Sequence, residues 1–179
     1  AFSVTNERMK VVNFVTYFVS TSLWAVKAGN PTGFDSQNIC GRNLALQSGT
    51  WHEEQVQKIS DECVAAGKPA ITILPFGQQT EALTRVAAGG ADATISGDSQ
   101  IALAVKHSEG TLETMKAYGV MGESGVNGIP VPKNDMELTQ LVADTLNDLI
   151  ADGTYAQLMA AWGLTVTIDK AEINPKVDY

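Results

Sequence analysis

From about residue 40 to residue 120 the chain alternates between strand-like apolar runs and helical periodicity, with glycine or proline stops between them. Leu44-Ala45-Leu46 reads as a buried strand, and Ser48-Gly49-Thr50 as a turn and helix start. Glu53 and Glu54 sit in the first turn, where carboxylates favour the helix dipole. Val56, Ile59 and Cys63 fall on one face of that helix, and Gly67-Lys68-Pro69 stops it. Ile71 to Leu74 is strand-like. Ala82, Leu83, Val86 and Ala87 recur at helical spacing within 78–88, and Gly89-Gly90 closes that helix. Residues 91–96 form a strand and 99–107 a short helix. Such alternation specifies an α/β class, expected here as a mostly parallel sheet with helices on both faces.

Two extended segments flank this block. Leu23 to Val26 is an apolar run ended by Lys27-Ala28-Gly29-Asn30-Pro31, followed by a linker-like stretch over 30–38. Gly128-Ile129-Pro130-Val131-Pro132 is the second. Segments 22–27 and 128–132 are therefore expected to be the two crossing strands of a hinge in a discontinuous domain. Asp135 begins a long amphipathic helix whose apolar side is expected to hold Leu138, Leu141, Val142, Leu146, Leu149 and Ile150. Asp152-Gly153-Thr154 restarts a helix that runs through Trp162-Gly163, and the polar tail from Thr165 to Tyr179 either wraps the surface or is loose. Trp24 and Trp162 are expected in the core, with Met115 and Met121 filling gaps.

At 179 residues and 44% apolar, the chain can bury one good core or two small ones. A net charge of −8 and a pI near 4.6 argue against binding nucleic acid or anionic membranes, which calls for basic patches. No stretch approaches the roughly 18 apolar residues of a membrane span. The start, Ala1-Phe2-Ser3, has no methionine, basic region or apolar region, so it reads as processed, trimmed or engineered. Cys40 and Cys63, without CxxC spacing or a nearby histidine, do not make a zinc site. Cys40 precedes a strand and Cys63 lies on the inner face of the next helix. A disulfide is the favoured reading over two buried thiols. It would indicate an oxidising compartment.

Three short polar stretches carry the chemistry: Ser3-Val4-Thr5-Asn6-Glu7-Arg8, Gln47-Ser48-Gly49-Thr50 and Asp98-Ser99. A guanidinium holds a carboxylate through two charge-assisted bonds, which suits Arg8 to an α-carboxylate. Ser3 adds a hydroxyl from the same loop. Thr50, at a helix start, offers a hydroxyl and backbone amides to the same anion, or serves as a plain cap. Trp51 either packs on a ligand side chain or covers the helix start. Asp98 pairs with an α-ammonium. His52 is expected to be solvated, and Asp92 structural. No nucleophile–base pair, metal set or phosphate loop is legible, so catalytic residues, metals and cofactors are expected to be none.

Arg8-Met9-Lys10-Val11-Val12-Asn13-Phe14, Gly128-Ile129-Pro130-Val131 and Ala151-Asp152-Gly153-Thr154-Tyr155 through Trp162-Gly163 resemble, in order, segments of the extracytoplasmic solute-binding proteins of polar amino-acid ABC importers. The resemblance covers roughly residues 3–164. It implies the periplasmic binding protein-like type II fold, with a complete second lobe, both hinge strands and an incomplete first lobe. The corresponding division is 1–27 for the first-lobe remnant and first hinge strand, 28–127 for the second lobe, 128–164 for the return strand and C-terminal helices, and 165–179 for the tail. In relatives the ligand aspartate lies five residues after the first aspartate of its strand. Asp92 and Asp98 are six apart here, and a bulge at Gly97 would restore the geometry. Tyr17-Phe18 stands where relatives often carry Pro-Tyr.

The implied function is to clasp a free amino acid between two lobes and deliver it to a permease, without chemistry, from the periplasm or as a cell-surface lipoprotein. With an incomplete first lobe, this chain alone is expected to bind weakly or not at all and to favour a homodimer through that lobe. A sensing domain of a receptor and a dehydratase-type enzyme on the same fold are the alternatives.

Overall fold

The computed structural model describes residues 2–123, 125–162, 164–165 and 167–178. Ala1, Ser124, Gly163, Val166 and Tyr179, on which parts of the expected start, second lobe, last helix and tail fall, lie outside the described residues. The elements run β1 (Phe2–Ser3), α1 (Asn6–Met9), β2 (Val12–Ser20), β3 (Ser22–Lys27), β4 (Asn43–Gln47), α2 (Trp51–Ala65), β5 (Thr72–Phe76), α3 (Gln79–Ala87), β6 (Ala93–Gly97), α4 (Asp98–Lys106), β7 (Leu112–Lys116), β8 (Gly125–Pro132), α5 (Met136–Ala151) and α6 (Thr154–Ala161). They divide into two compact units, Ala1–Ser20 with Ser124–Tyr179, and Thr21–Glu123. Both divisions come earlier than the expected 27/28 and 127/128, because β3 is paired wholly inside the second unit's sheet and β8, from Gly125, wholly inside the first unit's.

The second unit is a five-stranded sheet in the order β5-β4-β6-β3-β7. β4 runs parallel to β5 and β6, as the alternation predicts. β3, however, is antiparallel to both of its neighbours, β6 and β7, so the sheet is mixed at its centre. A strand whose partners lie far downstream leaves no local sign of its direction. Its burial does show its place: Trp24, Ala25 and Val26 are all buried, as in a strand covered on both faces.

Side chains alternate across a strand, and here the alternation sorts by size. Trp24, Val26, Leu44 and Leu46 share one cluster with Trp51 and Val56 of α2. Ala25 and Ala45 point into the other, with Ala82, Leu83 and Val86 of α3 and Ile101 of α4. Alanines on that face let α3 and α4 lie close, while the bulkier face is filled partly by the Trp24–Phe34 ring contact at 5.1 Å. Cys40 and Cys63 form the disulfide, with Cα atoms 5.7 Å apart, tying the segment before β4 to α2.

The first unit is an antiparallel sheet in the order β1-β8-β2. The β2–β8 register shifts between Thr16 and Phe18. Gly128 is required here: a Cβ would sit 2.8 Å from Phe14 and 2.9 Å from Val4. The tail lines the outer edge of β2, where Thr16 N donates to Glu172 O and Asn174 N to Phe14 O, both at 2.9 Å.

One expectation about this unit holds only in part, and another fails. α5 packs through Thr139 and Ala143, with Val142 and Leu146 partly buried, whereas Leu138 and Leu141 are exposed. The cause is a polar anchor. Buried Asn13 reaches Thr139 Oγ1 at 3.4 Å and Lys133 O at 3.1 Å, which fixes the rotation of the helix. Trp162, expected in the core, lies past the end of α6 and is 78% exposed.

Candidate functional site

In the second unit the candidate residues gather for a topological reason. The chain leaves β4 for β5 on one side and returns to β6 on the other, so the β4–β6 pair is the point where strand order reverses. Parallel strands deliver their following loops to the same end of the sheet, and a ligand lies best at such a switch point. Thr50 follows β4 and Asp98 follows β6, so both stand at that end. Because β3 is antiparallel, its first residues stand there too, with Ser22 opposite Gly97.

Thr50 is the N-cap of α2. Its Oγ1 accepts from Glu53 N at 3.2 Å and donates to Gln47 O at 2.8 Å. Glu53 reaches back to Gly49 N at 2.7 Å, completing the helix start. Trp51 is only 9% exposed and packs in the core of the second unit.

His52 corrects the expectation of a solvated ring. Its Nε2 lies 2.8 Å from Ser22 Oγ, and its ring meets that of Trp51 edge-on at 5.3 Å. Burial pushes its pKa down to about 4, so the ring is neutral at pH 7. This is also the geometry of a nucleophile–base pair, which the sequence did not reveal. Ser22 is 8% exposed.

Asp98 is held on all sides. Oδ2 accepts from Thr21 N at 3.2 Å and Thr21 Oγ1 at 2.9 Å. Oδ1 accepts from Ser99 N at 2.6 Å and Ser99 Oγ at 3.1 Å. Asp98 N in turn donates to Thr21 O at 3.0 Å. The bulge expected at Gly97 is absent: β3 and β6 pair in one unbroken register from Val26–Ala93 to Ser22–Gly97. Gly97 instead serves as the N-cap position of α4. Asp92 is structural, accepting from Asn43 N at 2.7 Å.

In the first unit, Thr5 caps α1 by accepting from Arg8 N at 3.2 Å. Arg8 Nη1 donates to the Ser3 carbonyl at 3.1 Å, so these two candidates do meet, through the backbone of Ser3. Thr50, Trp51 and Asp98 belong to the other unit. Sequence reasoning missed Thr21 and Ser22, which stand 77 and 30 residues from their partners. Only the register of β3 on β6 would have exposed them. Among the described residues no group of three or more histidines, cysteines or carboxylates is placed to hold a metal. A groove of about 360 Å³ lies elsewhere on the second unit, lined in part by Asn38, Cys40, Ile59, Lys68 and Tyr118, and none of Thr50, Trp51 and Asp98 lines it.

Comparison with known proteins supplies the family. Residues 1–165 match the family described as bacterial extracellular solute-binding proteins, family 3. The arginine-binding protein ArgT of Corynebacterium glutamicum is 32% identical over 175 residues, covering 97% of this chain and 56% of that protein. The amino-acid-binding protein AabA of Dichelobacter nodosus is 24% identical over 89% of this chain and 60% of its own length. The chain thus spans under two thirds of the curated relatives it matches. Among solved structures, an ancestral arginine-binding protein bound to glutamine superposes with a TM-score of 0.76 at 27% identity, over 90% of this chain and 68% of that one. The fold is accordingly the periplasmic binding protein type II fold. On the match across residues 1–165, this chain is a member of the bacterial extracellular solute-binding proteins, family 3.

Proposed function

We propose that this protein binds a free α-amino acid as the solute-binding component of an ABC importer and passes it to a membrane permease. The observation that carries the reading is the convergence of Thr50 and Asp98 at the carboxyl ends of β4 and β6, at the switch point of a sheet. In this reading Arg8 and the hydroxyl of Ser3 hold the ligand's α-carboxylate, together with Thr50 and the amides at the start of α2. Asp98 takes the α-ammonium, and Trp51 acts as the buried anchor that fixes the start of α2. Arginine is the first ligand to test, because ArgT, the relative with 32% identity, is named for it.

The relatives are named as binding proteins, which supports binding without chemistry over a dehydratase-type activity. Among the described residues no helix is long and apolar enough to cross a membrane. The family's extracellular character and the Cys40–Cys63 bridge support an oxidising location, in the periplasm or at the cell surface. Self-association through the exposed apolar residues of α5 and α6, Leu141 and Leu158 among them, is a secondary part of the proposal that sedimentation reads directly.

Isothermal titration with arginine and then the other free amino acids tests the reading, with Arg8→Ala as control. The expected result is heat from one chemical class, lost in Arg8→Ala. Binding that survives Arg8→Ala unchanged overturns the assignment of the carboxylate.

A further inference from the structure

We propose that Thr21 is a positioning residue for Asp98, and that Thr21 and Ser99 together make the aspartate selective for a ligand group that carries several N–H bonds. The inference rests on the reading of Asp98 as the ammonium acceptor. A carboxylate offers about four acceptor sites. Two at Asp98 are taken by backbone N–H groups, from Thr21 and Ser99, and two by the hydroxyls of the same residues. The two kinds of donor differ. An amide N–H in a strand or helix start is fixed, whereas a hydroxyl rotates about its C–O bond and can accept as readily as it donates.

The fixed pair aims the carboxylate. Thr21 stands at the entrance of β3, adjacent to the Ser22–Gly97 pair, and its carbonyl accepts from Asp98 N at 3.0 Å while its own N–H returns to Oδ2 at 3.2 Å. Ser22 is fixed beside it by His52 at 2.8 Å. The side chain of Thr21 therefore has little freedom to leave Asp98, and Thr21 and Asp98 both remain partly exposed.

The rotating pair is exchangeable. A primary ammonium carries three N–H bonds, enough to replace both hydroxyl donations to Asp98 and to donate once to a hydroxyl oxygen that has turned. Before binding, the same hydroxyls keep the carboxylate in one orientation, which is what preorganisation requires. A quaternary ammonium has no N–H to offer, so it cannot take over the bonds it displaces. The arrangement recognises donor count as well as charge.

The test is titration of the full chain with an α-amino acid, its N,N,N-trimethyl derivative and its analogue lacking the α-amino group, for wild type, Thr21→Val and Thr21→Ser. Thr21→Val keeps the branched shape and loses the hydroxyl. It is expected to weaken the amino acid by about tenfold or more, the range for a hydrogen bond to a charged group. The deaminated analogue should bind both proteins equally, and Thr21→Ser should restore the amino acid's affinity. Wild type should reject the trimethyl derivative. A fold defect in Thr21→Val would lower both ligands together, and that result overturns the inference, as does equal affinity of wild type and Thr21→Val for the amino acid. Failure of a chain extended to the relatives' full length to bind any amino acid overturns the proposed function and this inference with it, and is distinct from the other outcomes.

Discussion

His52 shows how a single ring can be placed by burial and then leave a record in the pH dependence of the whole protein. Its imidazole is hydrogen-bonded to Ser22 and its pKa falls from 6.5 to about 4 through desolvation. Between those values the unfolded chain binds the proton and the folded chain does not. Stability is therefore expected to decline as the pH drops from about 6.5 towards 4, and to be fully present above that window. Acidic side chains add their own slope, so the measurement is a comparison. Melting temperature followed from pH 7 to pH 4.5 should fall more steeply for wild type than for His52→Gln, which cannot take up the proton. Parallel slopes would mean that the ring is not desolvated in solution. The threonines and Ser99 divide into two kinds of work: Thr50 and Thr5 cap helices, and Thr21 and Ser99 hold Asp98.

At the scale of elements, the disulfide is the most separable contribution. It closes a loop between residues 23 apart and anchors the segment before β4 to α2. In the chain-entropy account such a closure is worth about 3 kcal/mol. The double variant Cys40→Ala/Cys63→Ala should accordingly melt on the order of 10 °C lower, and a reducing agent should lower the wild type by a similar amount and leave the variant unmoved. The elements also show what can be read from a chain and what cannot. α2, α3 and α4 were legible because each carries its own period and its own stop, and Glu53 and Glu54 marked the start of α2. The reversed direction of β3 was not legible, since it is decided by partners at Ala93–Gly97 and Leu112–Lys116. The face of α5 was read only in part, for a related reason. Hydrophobic periodicity picks Leu138 and Leu141, yet the helix is turned by Asn13 and Thr139, whose bond spans 126 residues of sequence. The candidate site followed the same division: Arg8, Thr50 and Asp98 stand out by residue type in or beside helix starts, while Thr21, Ser22 and the partner of His52 depend on strand pairing.

For the molecule as a whole, the two units differ in how their interiors are built. The second unit is continuous in sequence, covers both faces of its sheet, and buries Trp24, Leu44, Leu46, Val56, Ile95 and Ile101 almost completely. The first is assembled from both ends of the chain, and its helix packs on the sheet through a small cluster of Val15, Ala143 and Ala171, with Val142, Leu146 and Ile173 around it. Ala171 and Ile173 belong to the tail, so a segment of polar composition completes that core. Asn147 fixes it from both sides, accepting from Ala171 N at 2.8 Å and donating to Ala171 O at 3.3 Å. Burying a carboxylate at Ala171 would remove this seat, because an unpaired charge in an apolar cluster costs several kcal/mol. Ala171→Asp is therefore expected to raise amide exchange across β2 and α5, while β4 and β6 keep their protection. Hydrogen exchange read by mass spectrometry on wild type and variant measures this directly. In the wild type the same experiment should already show slower exchange at 44–46 and 93–96 than at 139–146, since protection follows local burial. A uniform loss across both units in Ala171→Asp would instead mean that they unfold as one cooperative body, and the smaller core would then draw its stability from the larger one.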